Sequence, residues 1–139
     1  MRPPLALVLL TVALTACGPG QTGDKPMPTP TPVEVELDLY SGRPNPTWTL
    51  TTTQSTELRE RLEALPTTAS TPPPDNLGYR GFLVRLSTNT PPTRVHRAVH
   101  QPDGTTRDAA DRTLERWLLD TGRTALPADV VNEVAKELG

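Results

Sequence analysis

The chain has a single cysteine, Cys17, so it cannot form an intrachain disulfide. Isoleucine is absent, and lysine occurs twice against twelve arginines, a bias that fits a GC-rich coding ancestry rather than an adaptation. Aromatic residues make up only 4% of the chain, so its core must be built on Leu and Val. No excess of positive charge is present: the formal net charge is −2, and no basic cluster marks a nucleic-acid or anionic-lipid surface. The longest apolar run, residues 5–14, would rise roughly 15 Å as a helix, about half of a bilayer's hydrocarbon core. It is too short to span. A Gly-x-Ser-x-Gly elbow, a phosphate-binding Gly-rich loop ending in Lys-Ser/Thr, an EF-hand loop and a His-Glu-x-x-His run are all missing. Asn45-Pro46-Thr47 is no glycosylation acceptor, because proline takes its middle position.

What is present begins at the N-terminus. Met1-Arg2 gives a basic start, the apolar run follows, and Leu14-Thr15-Ala16-Cys17 closes it. This tetrapeptide resembles the lipobox of bacterial lipoprotein precursors. The resemblance implies a signal peptide over residues 1–16, cleavage before Cys17, and diacylglycerol on the Cys17 thiol, often with a third acyl chain on the amine. An ordinary secretory cleavage fits less well, since Leu14 stands where that peptidase wants a small side chain. Thioether lipidation also consumes a thiol that would otherwise be a liability in an oxidising compartment. One acyl chain holds only marginally, and two or three anchor durably. The implied location is the bacterial cell membrane, or the outer membrane of a two-membrane cell, because Gly18 replaces the aspartate associated with inner-membrane retention.

Residues 17–32 read as the lipidated cysteine and a tether. Pro19, Pro26, Pro28, Pro30 and Pro32 lie among Gly, Thr and charged residues that have little to bury. Fifteen such residues reach at most roughly 45 Å when extended. Without Arg2, thirteen basic residues remain against sixteen acidic ones.

Residues 33–139 are enough for one globular domain. Residues 33–40 alternate apolar and polar and predict a strand with one buried face. Residues 47–50 predict a short second strand. Thr51 and Gln54 match a capping box, and Leu58, Leu62 and Leu65 mark one face of the helix that follows. A proline-rich loop, 66–76, precedes a strand over 79–86, and 94–100 reads as its partner. Asp108 is expected to cap a helix reaching Leu119, with Ala110, Leu114, Trp117 and Leu118 on one face and Gly122 beyond its end. Pro127 fits the first turn of a last helix striped by Val130, Val134 and Leu138. The expected class is α+β: a small antiparallel sheet with about three helices packed on one face, in a single domain.

Three groups of residues are candidates for chemistry. Ser41-Gly42-Arg43-Pro44-Asn45-Pro46, followed by Trp48, is a stiff loop that holds Arg43 out beside an indole. Arg43, Asn45 and Trp48 form a possible binding loop for a carboxylate, a phosphate or a partner. The alternative is architectural: Arg43 caps backbone carbonyls and Trp48 fills the core, in which case Arg43→Ala removes about 1–3 kcal/mol. We expect the architectural outcome. Together with Leu77-Gly78-Tyr79-Arg80-Gly81-Phe82, this loop resembles small uncharacterised bacterial proteins with a Ser-Gly-Arg-Pro-Asn-Pro loop; that resemblance implies no activity.

His96 and His100 are four apart on a predicted strand, roughly 13 Å from each other and too far to share one ion. No metal and no cofactor is expected. Glu34, Glu36 and Asp38 form a polar ladder on the first strand, expected to be solvated and paired with arginines such as Arg85 and Arg94. The sequence therefore leads to a membrane-anchored lipoprotein with a non-catalytic binding or structural module. Its expected partners are the membrane, through lipid, and an envelope protein or polymer, with no nucleic acid. The alternative is a small envelope hydrolase using His96 or His100 with a carboxylate.

Overall fold

The computed structural model describes residues 31–139; the expected signal peptide, Cys17 and nearly all of the tether lie outside the described residues. Six strands, β1 (Glu34–Leu37), β2 (Thr47–Thr49), β3 (Phe82–Arg85), β4 (Thr93–His96), β5 (Ala98–His100) and β6 (Thr106–Asp108), form one antiparallel sheet. Its order is β2-β1-β3-β4-β5-β6. Helix α1 (Thr52–Ala64) returns the chain from β2 at one edge to β3 on the other side of β1; α2 (Thr113–Thr121) and α3 (Ala128–Leu138) follow the strands. This is an α+β single domain, as the hydrophobic patterning predicts.

Alternation along the strands decides which face is covered. Val35 and Leu37 on β1, Trp48 on β2, Phe82 and Val84 on β3, Val95 on β4 and Val99 on β5 are buried in one core. That core includes Leu58 and Leu62 of α1, Leu114 and Leu118 of α2, and Val130, Val134 and Leu138 of α3. Burying each such side chain contributes roughly 1.5–3 kcal/mol. The capping box is formed as expected: the Gln54 amide donates to Thr51 Oγ1 at 3.1 Å, and the Thr51 amide donates to Gln54 Oε1 at 3.0 Å.

Three local expectations need correction. Residues 94–100 are not one strand: the chain reverses at Arg97, whose φ is +54°, so that Val95 pairs with Val99 and Arg94 with His100. A further short strand, β6, then extends the sheet, and its outer edge is covered where the Thr68 amide donates to the Thr106 carbonyl at 2.9 Å. Asp108 ends that strand and caps no helix; α2 begins five residues later, at Thr113. Gly122 does follow α2, but with φ −96°, so no left-handed cap calls for glycine. A β-carbon there would lie 2.7 Å from the Trp48 ring, and that contact is what excludes a side chain.

Candidate functional site

The 41–48 loop is organised by Asn45. Its Oδ1 accepts from the Leu39 amide at 3.1 Å and the Tyr40 amide at 2.8 Å, while its Nδ2 donates to Glu36 Oε1 at 3.0 Å. Pro44 and Pro46 on either side fix the backbone that aims this amide. Trp48 fills the core as the architectural reading expects: it meets Phe82 edge to face at 6.2 Å, and its Nε1 donates to Thr121 Oγ1 at 3.0 Å. Arg43 does neither thing expected of it. Its guanidinium lies 3.6 Å over the Tyr40 ring, exposed, with no carbonyl capped and no indole beside it. An Arg43–Trp48 patch therefore does not exist.

The expected stability effect moves with it. Arg43→Ala should shift the unfolding free energy by only about 0.5–1 kcal/mol, the range for an exposed cation–π contact. Asn45→Ala, which strands two amides and releases Glu36, should cost about 1–3 kcal/mol. Denaturant unfolding of the two variants side by side checks this order; an Arg43→Ala loss larger than that of Asn45→Ala contradicts it.

Of the expected acidic ladder, Glu34 and Glu36 lie on β1 and Asp38 just beyond its end, and all three meet arginines. Arg85 reaches Glu34 at 3.3 Å and Glu36 at 3.4 Å, an exposed arrangement worth little. Asp38 departs from the solvated expectation, being only 5% exposed. Arg80 Nη2 donates to its Oδ1 at 2.6 Å and Arg94 Nη1 to its Oδ2 at 2.8 Å. Burial alone would push this carboxyl upward, but the hydrogen bonds and charges of the two arginines together outweigh it and hold the pKa below the ordinary value. Asp38 thus stays ionised as a structural clasp that ties the chain just past β1 to the residues entering β3 and to β4.

The reversal at Arg97 puts His96 and His100 on neighbouring strands instead of along one. Both line a groove of about 460 Å³ beneath the 66–76 loop, with Thr68, Thr71, Arg97 and Asp108. Burial lowers both imidazole pKa values. For His96, Glu115 works against that shift while Arg112, Arg97 and Arg94 add to it; for His100, Arg94 adds to it. Both rings are therefore neutral at neutral pH. Asp108 Oδ1 accepts from the Ala110 amide at 2.9 Å, and among the described residues neither imidazole hydrogen-bonds a carboxylate. Among the described residues no three His, Asp or Glu side chains converge as for a metal ion.

Sequence reasoning missed the most buried charged group. Glu115 is fully buried. Its Oε1 accepts from the Tyr79 hydroxyl at 2.6 Å; its Oε2 accepts from the Arg97 amide at 3.0 Å and from Arg112 Nε at 3.2 Å. Burial first, and the Glu115 charge second, push the Tyr79 phenol far up, so it remains a donor. The two non-glycine residues with positive φ, Arg97 and Arg112, both bind this one carboxylate oxygen. Its place beside Leu114, and three and four residues before Leu118 and Leu119, was the available signal: a carboxylate inside an apolar helix face needs partners.

No protein-family model, no curated protein and no solved structure matches the chain.

Proposed function

We propose that the chain is a lipid-anchored, non-catalytic module of the bacterial cell envelope, held by acyl chains on Cys17 and presenting its domain to an envelope protein or polymer. The observation that carries the reading is Leu14-Thr15-Ala16-Cys17, which follows an apolar run too short to span and precedes a proline-rich spacer. Among the described residues no helix is long and apolar enough to cross a membrane, so attachment in this reading rests on lipid. The non-catalytic half is supported by how the buried carboxylates are used. Asp38 is clasped by Arg80 and Arg94, and Glu115 by Tyr79, Arg112 and the Arg97 amide.

Cys17→Ala should remove lipidation and maturation together, leaving an unlipidated precursor. Growth with labelled palmitate, followed by fractionation, reads this directly: label in the wild-type band and none in the variant is the expected result. Equal incorporation into both overturns the anchor.

One observation favours a second reading, a small hydrolase, since His96, His100 and Asp108 share a groove. That reading requires turnover of an ester or amide substrate that His96→Gln or His100→Gln abolishes.

A further inference from the structure

Among the described residues, every arginine except Arg97 has its guanidinium on a carboxylate, a carbonyl or an aromatic ring; Arg43, for instance, lies on Tyr40. Arg97 engages only through its backbone: its amide donates to Glu115, and its carbonyl accepts from the Ala109 amide at 3.2 Å. Its backbone sits at φ +54°, a region where glycine or asparagine is the ordinary choice. A buried carboxylate thus secures a strained reversal, while the side chain placed at the reversal has no structural partner. Strained non-glycine residues of this kind concentrate where a side chain is used.

The surroundings say what for. Arg97 borders the groove beneath the proline-rich loop, together with His96, His100, Thr68 and Thr71. Their side chains all carry hydrogen-bond donors, and they come from several elements. The groove volume, about 460 Å³, falls in the range of small-ligand sites. The one carboxylate lining it, Asp108, has an oxygen already committed to the Ala110 amide. We propose that this groove is a binding site for a phosphate-class oxyanion, with the Arg97 guanidinium as its principal charged contact and His96, His100, Thr68 and Thr71 as supporting donors. A guanidinium pairs two oxygens of such a group, and donors from other directions suit a tetrahedral anion better than a planar carboxylate.

The imidazoles give the site a pH dependence. Glu115, Arg112, Arg97, Arg94 and the Tyr79 ring, 5.6 Å away, face His96, and Arg94 faces His100, with Asp108 at the margin. Both rings are neutral above their lowered pKa values and become cationic as pH falls through them. A bound anion stabilises the cationic forms, so it should raise both apparent values and bind more tightly in mild acid.

The test uses the detergent-solubilised full chain and inorganic phosphate, with histidine ring resonances followed by NMR at constant ionic strength. Saturable shifts of both histidines, with raised apparent pKa values and no response to chloride, are expected. Arg97→Asn, in which asparagine tolerates the left-handed backbone, should weaken phosphate binding at least tenfold without lowering the melting temperature. Unchanged affinity in Arg97→Asn, or the same shifts with chloride, overturns the site. Vesicles of phosphatidylglycerol distinguish the source: shifts with both probes assign a lipid headgroup, and shifts with inorganic phosphate alone assign a soluble phosphate. A failure here leaves the anchor untouched, because palmitate labelling reads that separately.

Discussion

Glu115→Ala is expected to lower the unfolding free energy by about 3–5 kcal/mol, the usual consequence of removing one partner from a buried ionic network. The substitution leaves the Arg112 guanidinium and the Tyr79 hydroxyl facing an apolar interior with their shared acceptor gone. It also frees the Arg97 amide, so the β4–β5 reversal loses the contact that holds its positive φ. Against the 5–15 kcal/mol by which domains are ordinarily stable, this is a large fraction of the total. Urea unfolding at pH 7 reads the change. A loss below about 1 kcal/mol contradicts the assignment of Glu115 as the organiser of this end of the sheet. The Arg112–Glu137 carbonyl contact extends the network to the last turn of α3, so the loss should not be confined to the hairpin.

Gly81→Ala should be comparably damaging for a different reason. A β-carbon at this position would stand 2.2 Å from the Val95 carbonyl oxygen and 2.7 Å from the His96 β-carbon. The obstruction is the backbone of the neighbouring strand, which cannot rotate away as a side chain can. The backbone at residue 81 has φ +95°, and any L side chain there adds conformational strain. Overpacking of about 1–3 kcal/mol and left-handed strain of about 1–2 kcal/mol together predict a loss near 3 kcal/mol. Pushing this end of β3 away from β4 would also disturb its other side, where the Asp38 amide donates to the Gly81 carbonyl. Gly42→Ala is the internal comparison: that glycine also has positive φ but nothing within 4 Å, so it bears the conformational part alone. Thermal melts of the two variants separate the contributions. Equal losses would show that the close approach to Val95 does not matter.

Much of the fold follows from patterns short enough to be local. The alternation at Val33–Tyr40, the Thr51–Gln54 box and the Val130–Val134–Leu138 stripe each encode an element within a few residues, and each element is formed. What was illegible depends on partners far away in sequence. The reversal at Arg97 carries neither glycine nor asparagine; Glu115, eighteen residues later, stabilises it, so 94–100 reads as one strand. Strand β6, Thr-Arg-Asp, has no apolar residue and holds its place through pairing with β5 and the chain at Thr67. In the candidate loop, the arginine is the conspicuous charge, yet the asparagine between the two prolines makes the contacts. A charged side chain advertises itself in sequence, whereas the value of an amide depends on what the backbone aims at it.

The lipid anchor at Cys17 and the folded domain are independent of one another, and it is the anchor that would fix where the protein acts. Intact-mass and peptide mass spectrometry of the protein purified from membranes tests it most directly. The expected result is a mature N-terminus at Cys17, with the mass of a diacylglyceryl thioether on that residue and no peptide from residues 1–16. A chain retaining residues 1–16, or one beginning elsewhere with an unmodified Cys17 thiol, would contradict it.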